Sequence, residues 1–159
     1  MSKGSDPTEG VLLRQLIVGD LIDIVGIQES LGGESEVEYW RKKLDVYTAD
    51  PELCLGAEYA GKLIGYILGH IKGGEFGVAD ETGWIELIGV DPEWQRRGVG
   101  KILVEALFKV FLNRSCKKVY ILCSWKDNEI LGFLRELGFV RGDLIHLEKS
   151  LPRVGASGL

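Results

Sequence analysis

A basic, glycine-rich run at residues 95–101 has the composition and position of a phosphate-binding segment. It follows an apolar run at 84–90, which predicts a strand, and a turn at 91–94, and it opens a long amphipathic stretch that predicts a helix. The first N–H groups of a helix have no partner within it, and the helix dipole adds partial positive charge there, so phosphate binds at low cost. The run also supplies flexible backbone and positive charge through Gly98, Gly100, Arg96, Arg97 and Lys101. We therefore predict that it cradles a pyrophosphate.

The spacing of the glycines excludes two common nucleotide-binding motifs. A dinucleotide fingerprint requires Gly-x-Gly-x-x-Gly with an acidic residue closing the next strand, and a Walker loop requires Gly-Lys-Ser/Thr, and neither pattern is present. A different phosphate-binding α/β domain is an alternative interpretation of these residues, and such a domain would bind ATP or NAD.

Composition indicates one globular domain. The chain has 159 residues, 45% hydrophobic and 27% charged, with a net charge of −5. The negative charge argues against a general nucleic-acid binder, and no run of about 20 apolar residues suits a membrane span. We predict a disordered leader at 1–9, a folded domain at 10–151, a flexible tail at 152–159 and a cytoplasmic location without a membrane partner.

Hydrophobic periodicity predicts the order of elements β-α-α-β-β-β-α-β-α-β, in which the last strand is either whole or split into two. A capping position at Asp20 precedes the first helix, a tight turn at Gly61 joins two strands, and Gly138 ends the last helix in a left-handed cap. The predicted strands are 11–16, 53–60, 62–71, 84–90, 117–124 and one or two within 139–151, and the predicted helices are 20–31, 34–46, 99–113 and 127–137.

The pattern Gln95-x-x-Gly98-x-Gly100, together with the order of elements and the ending Leu137-Gly138-Phe139, resembles the GNAT N-acetyltransferases. The resemblance covers about residues 11–151. It implies an α/β (α+β) single-domain GNAT fold: a mixed, strongly bent central sheet of six to seven strands with about four helices on both faces. It also implies an acyltransferase that moves an acetyl group from acetyl-CoA to a primary amine by direct attack in a ternary complex.

The resemblance assigns coenzyme binding largely to main-chain groups. The end of the strand at 84–90 would bind the pantetheine and the thioester carbonyl, the basic run would bind the pyrophosphate, and the start of the last helix would touch the pantetheine arm. The implied cofactor-binding residues are Ile88, Gly89, Val90, Gln95, Arg96, Arg97, Gly98, Val99, Gly100, Lys101 and either Asp127 or Asn128. Asp127 and Asn128 have an alternative role, which is to cap the helix alone.

Glu86 is the candidate catalytic base. The resemblance implies a carboxylate on this strand that deprotonates the amine through a water. An amine with a pKa of about 10.4 is mostly ammonium at neutral pH, so a carboxylate both attracts it and relays its proton. The alternative is that Glu86 points outward on a half-exposed strand.

The general acid departs from the family pattern. The position that usually holds a tyrosine is Leu134, so the leaving thiolate would be protonated by water or by another tyrosine, such as Tyr66 or Tyr120. A thiol with a pKa of about 8.5 can leave without a dedicated acid. The departure also supports an alternative function, an acyl-CoA-binding GNAT-like sensor or interaction module with little or no catalysis.

The remaining polar residues give weaker indications. Acidic residues between the first two helices and in the later loop, namely Glu34, Glu36, Glu38, Glu75, Asp80 and Glu81, would favour a cationic amine, although acids also favour a helix start. We expect a small-molecule, lysine or peptide amine as acceptor, no nucleic acid, no metal, and a monomer or homodimer. His70 and His146 form no triad pattern, and Cys54, Cys116 and Cys123 are expected to be buried thiols.

Overall fold

The computed structural model describes residues 6–74, 77 and 80–153. They divide into two compact units, one that ends at Leu122 and one that begins at Cys123. The first unit contains the sheet with its helices, and the second contains one helix and the segment that follows it.

A five-stranded mixed sheet forms the first unit. The strands are β1 (Leu12–Gln15), β2 (Cys54–Tyr59), β3 (Lys62–Lys72), β4 (Thr82–Val90) and β5 (Lys118–Ile121), and they lie side by side in chain order. The first four pair antiparallel, and β4 pairs parallel with β5. The mixed α+β class is confirmed, but the described residues contain fewer strands than the predicted six to seven.

The turn between β2 and β3 is set by two residues with positive φ. Ala60 has φ 48° and Gly61 has φ 81°. Two consecutive left-handed residues give the turn whose twist matches the flanking strands. The predicted hairpin at Gly61 is therefore confirmed.

Helices cover both faces of the sheet, as predicted. On one face, α1 (Leu21–Ser30) and α2 (Val37–Tyr47) pack against a core shared with β3. Its large buried side chains are Ile24, Trp40, Leu44, Tyr66 and Leu68. On the other face, α3 (Val99–Asn113) buries Leu103, Leu107 and Phe111, and a Cβ at Gly65 or Gly69 would contact these side chains.

Asp20 lies before α1 but does not cap it. Its carboxylate accepts a hydrogen bond from the Ile17 N–H at 2.9 Å and two from the Arg14 guanidinium at 2.8 Å each. Arg14 also donates to Glu58 at 2.6 Å. Burial opposes ionisation of Asp20, but these donors outweigh it and hold its pKa below the usual value. The predicted cap is thus wrong, because the carboxylate joins β1, β2 and the turn before α1 instead.

The second unit contains α4 (Asn128–Glu136) with both ends capped. The Asp127 carboxylate accepts from the Ile130 N–H at 3.0 Å. At the other end Gly138 has φ 87°, its N–H donates to the Arg135 carbonyl at 3.0 Å, and the Phe139 N–H donates to the Leu134 carbonyl at 3.0 Å. These bonds form a Schellman motif, so the predicted left-handed cap is confirmed.

The strands predicted within 139–151 are absent from the described chain. Val140, Ile145, Leu147 and Leu151 are all more than half exposed there, and no ladder includes them. The apolar alternation is typical of a strand, but a strand requires a neighbour that pairs with its backbone. The described sheet therefore has five strands.

Candidate functional site

The loop between β4 and α3 is fastened to the sheet at both of its ends. The Asp91 N–H donates to the Ile64 carbonyl at 2.9 Å, and the Asp91 carboxylate accepts from the Glu93 N–H at 2.9 Å. Gln95 follows the 3-10 turn Pro92–Trp94, and its Nε2 donates to the Val90 carbonyl at 3.1 Å. The Gln95 side chain thus ties the basic run to the end of β4.

The basic run turns into α3 through left-handed residues. Arg96 has φ 61° and Gly98 has φ 87°. Gly98 is the N-cap residue and has no side chain with which to cap the helix. The N–H groups of the first helical turn have no acceptor within the helix, so they point outward with the positive end of the dipole. This end of α3 has the geometry of an anion site.

Two cations of the run have defined neighbours. The Arg97 guanidinium lies 5.0 Å from the centre of the Trp94 ring, which in turn lies 4.6 Å from the Tyr59 ring. The Lys101 ammonium lies 3.9 Å from a Glu105 oxygen, one helical turn away. Stacking on Trp94 holds Arg97 two residues before α3 begins, and its charge favours an anion there.

One edge of β4 is open next to this anion site. The parallel pairing with β5 ends at Ile85 and Ile121, whereas residues 87–90 continue to pair with β3. In the described chain, the backbone of 87–90 therefore lacks a ladder partner on the β5 side. Extended backbone of this kind can bind an amide-containing ligand as a further strand would. This edge contains the predicted pantetheine-binding residues Ile88, Gly89 and Val90.

Glu86 occupies a β-bulge. Leu87 pairs with Leu68 and Ile85 pairs with Gly69, so Glu86 is the extra residue of β4. Leu87 packs on the core below α1 and α2, and Glu86 contacts Lys43 of α2. Both side chains therefore lie on the same face, which ordinary strand alternation would not allow. The bulge directs Glu86 toward α2.

Three side chains surround the Glu86 carboxylate. Its Oε1 lies 3.4 Å from Lys43 Nζ, and its Oε2 lies 4.0 Å from His70 Nδ1. Burial, the charge of Glu86 and a hydrogen bond to Glu86 raise the pKa of Tyr47 to about 12. The phenol is therefore protonated across the physiological range and donates to Glu86.

The Lys43 ammonium lies between two aromatic rings. Its Nζ is 5.4 Å from the Tyr39 ring centre and 5.3 Å from the Tyr47 ring centre. Tyr39, Lys43 and Tyr47 were not predicted as part of the site. Their spacing of four, which places them on one side of α2, was the available signal.

Neither alternative tyrosine lies in the open as a proton donor. Tyr66 is fully buried, is hydrogen-bonded to Gln28, and burial raises its pKa. Tyr120 on β5 packs against Trp84, with ring centres 5.1 Å apart. Leu134 is buried in α4. Neither Tyr66 nor Tyr120 is thus an exposed phenol in place of the family's tyrosine.

The remaining predicted residues differ in their exposure to solvent. Asp127 and Asn128 are exposed in the second unit, where Asp127 caps α4. His146 is exposed, and Cys54 and Cys116 are buried as expected. Cys123 is exposed, so its predicted burial is wrong: it follows β5 in an unpaired segment. Glu75 lies outside the described residues.

Two other features are absent from the described residues. No cluster of three or more histidine, cysteine, aspartate or glutamate side chains could hold a metal ion. None of the described helices combines the length and apolar character needed to cross a membrane.

Residues 23–139 match the sequence model of the acetyltransferase (GNAT) family. The chain is 30% identical over 102 residues to an acetyltransferase of Yersinia enterocolitica, and 28% identical over 102 residues to one of Pectobacterium atrosepticum. Each alignment covers 64% of this chain and 67% of the relative. The chain belongs to the GNAT acetyltransferase family and is an acyltransferase.

Solved structures share the fold. The aminoglycoside N-acetyltransferase AAC(6')-Iy in complex with CoA matches with a TM-score of 0.76 and 19% identity, over 88% of this chain and 94% of that one. An aminoglycoside acetyltransferase from an uncultured soil metagenomic sample, in complex with sisomicin, matches with a TM-score of 0.70 and 19% identity, over 91% and 98%.

Proposed function

We propose that this acetyltransferase moves an acetyl group from acetyl-CoA to the primary amine of a cationic small molecule. The observation that carries the proposal is the adjacency of three features along 86–101. A bulged carboxylate, an open strand edge and an uncapped helix N-terminus follow one another in that order. They correspond to the base, the thioester arm and the pyrophosphate that the reaction requires.

The pyrophosphate would lie at the start of α3. The N–H groups of its first turn and the nearby cations would bind the phosphate oxygens, and Gly98 would allow close approach. Side chains contribute charge there, but most of the hydrogen bonds come from backbone. We therefore expect coenzyme affinity to depend on Gly98 and on the start of the helix more than on any single cation.

The open edge of β4 would align the thioester. N–H and carbonyl groups of 87–90 would bind the pantetheine amides, and an N–H at this edge would polarise the thioester carbonyl. Such a donor is fixed before the reaction, because β4 is held by β3 on its other side. This arrangement would stabilise the negative charge that develops on the carbonyl oxygen.

Glu86 would bind the ammonium of the acceptor and accept its proton, directly or through water. Its carboxylate faces α2 and already lies 3.4 Å from an ammonium, that of Lys43. The departing thiolate is stable enough to leave before it takes a proton from solvent, since a thiol has a pKa of about 8.5. A cationic acceptor is supported by this carboxylate and by the aminoglycoside complexes among proteins of the same fold.

Glu86→Gln tests the proposal. The amide keeps the size of the side chain but cannot accept the proton, so kcat should fall by about 10²–10⁴-fold, while calorimetric coenzyme affinity stays within about twofold. Thiol release from acetyl-CoA with a panel of primary amines gives the rate. Asp45→Asn, which changes an exposed carboxylate on α2, is the matched control and should keep the wild-type rate.

Three results would contradict the proposal. Undiminished turnover in Glu86→Gln would remove this residue from the chemistry. Coenzyme binding without transfer to any amine of the panel would favour the acyl-CoA sensor. Binding of ATP or NAD in preference to CoA would contradict the coenzyme assignment itself.

A further inference from the structure

Lys43 is held in a site built for an alkylammonium ion. Its charged nitrogen lies 3.4 Å from the Glu86 carboxylate, with the rings of Tyr39 and Tyr47 at 5.4 and 5.3 Å. A carboxylate with flanking aromatic faces is the arrangement that recognises organic cations. The protein's own Lys43 ammonium thus occupies this cation site.

The contrast with the preceding residue shows that Lys43 is turned inward. The Lys43 side chain is 15% exposed, whereas that of Lys42 is 75% exposed and pairs with Glu38 on the helix surface. Both lysines belong to α2 and differ by one position. Lys43 therefore reaches the candidate base, and Lys42 lies in solvent.

We propose that Lys43 is an internal acceptor whose Nζ the protein acetylates. The inference rests on the proposed function, because Glu86 serves the same role in both reactions. The Lys43 ammonium gives one proton to the Glu86 carboxylate, and the neutral Nζ attacks the thioester carbonyl carbon. The carbon–sulfur bond then breaks, and the nitrogen loses a second proton to solvent. The products are Nε-acetyl-Lys43, CoA thiol and one free proton, because the proton on Glu86 passes to the thiolate through solvent.

The attachment of the Lys43 amine to the protein itself increases the rate of this reaction. An amine fixed next to its base reacts as part of the same molecule, without the entropic cost of bringing an acceptor from solution. Acetylation removes the positive charge, so it ends the ion pair with Glu86 and the attraction to both rings. The carboxylate is then available to an external amine.

Isotopic labelling of the purified full-length chain tests the inference. The protein is incubated with acetyl-CoA whose acetyl group carries ¹³C, and acetylation at each lysine is followed by peptide mass spectrometry. Uncatalysed acetylation would favour the exposed Lys42. We expect Lys43 to be labelled at least about 10-fold faster than Lys42, at a rate that does not depend on protein concentration, as for an intramolecular step.

Matched carboxylate variants separate catalysis from accessibility. Glu86→Gln should slow labelling of Lys43 by about 10²-fold or more and leave Lys42 unchanged, because only the first reaction uses this base. Asp45→Asn, which changes an exposed carboxylate on the same helix, should leave labelling of both lysines unchanged. Coenzyme binding by calorimetry shows that each variant is folded.

The two proposals fail in distinguishable ways. If Lys43 is labelled no faster than Lys42, or equally fast in Glu86→Gln, the internal-acceptor inference is wrong. Transfer to an external amine in the same preparation would then leave the proposed function standing. Loss of both labelling and transfer, with coenzyme still bound, would contradict the proposed function as well.

Discussion

At the residue scale, Gly89 shows how tightly the candidate thioester strand is packed. Its backbone pairs with Tyr66 of β3, and a Cβ at Gly89 would lie 2.7 Å from a ring carbon and 3.0 Å from the hydroxyl of Tyr66. Tyr66 cannot move aside easily, because it is fully buried and hydrogen-bonded to Gln28. The Tyr66 ring therefore packs directly against the backbone of β4 at Gly89.

Gly89→Ala should lower the free energy of unfolding by about 1–3 kcal/mol, because overpacking of a filled core forces side chains from their rotamers. Urea denaturation followed by fluorescence measures the change. Gly26→Ala is the control, since nothing lies within 4 Å of a Cβ at Gly26. Equal stability of Gly89→Ala and the wild type would show that Tyr66 yields at no cost.

The candidate base was predictable from the sequence, but its orientation was not. A charged residue in an apolar strand marks Glu86, whereas the bulge that turns it toward α2 depends on how β4 pairs with β3. Strict alternation cannot reveal such an inserted residue. Lys43 was missed for a related reason: its partners lie on two elements, and only Tyr39 and Tyr47 share its helix.

At the element scale, one glycine within α1 and one just after it have opposite requirements. Gly26 lies within the helix, where glycine costs backbone entropy, and Gly32 follows the helix with φ 69°. A Cβ at either position would have nothing within 4 Å. Both positions thus have room for a Cβ, and only the backbone conformation makes alanine suitable at one and unsuitable at the other.

Gly26→Ala should raise the free energy of unfolding by about 0.5–1 kcal/mol, because alanine loses less freedom in a helix. Gly32→Ala should lower it by about 1–2 kcal/mol, because the left-handed conformation strains a residue with a Cβ. Thermal unfolding of the two variants measures both effects. A change of the same sign in both would mean that the conformations of this helix end differ from those described.

Elements with a local signal were predicted well, and elements that depend on partners were not. The turn at Gly61 and the cap at Gly138 follow from glycine at positions with positive φ, which a short sequence window reveals. The apolar alternation in 139–151 predicted strands, yet in the described chain this segment pairs with no other. Pairing is a property of two segments, so one segment cannot establish it.

At the scale of the whole molecule, one partly buried ionic cluster joins distant parts of the first unit. Arg14 of β1 binds Glu58 of β2 and Asp20 before α1, and the Asp20 side chain is only 6% exposed. Because these donors hold the pKa of Asp20 below 3.8, the ionised form stabilises the fold. That stabilisation is present above the unfolded pKa and is lost as pH falls through the lower, folded pKa.

Asp20→Asn should lower the free energy of unfolding by about 2–4 kcal/mol near neutral pH, because Arg14 loses a buried partner. The deficit should shrink in acid below the unfolded pKa of about 3.9, where the wild type also loses the charge. Urea denaturation across this pH range measures it. Asp45→Asn changes an exposed site on α2 and should show no such deficit. If the deficit of Asp20→Asn persisted unchanged in acid, the stabilisation would not come from ionised Asp20.

The strand order also has a consequence for how the chain folds. Since β1 to β5 lie in sequence order, each strand of the hairpin region can pair with the strand synthesised just before it. β5 alone must wait for α3 to cross over, because a parallel partner needs a long connection. Until then the whole free edge of β4 is exposed to other chains. During synthesis, β4 is therefore the strand most open to intermolecular pairing and aggregation.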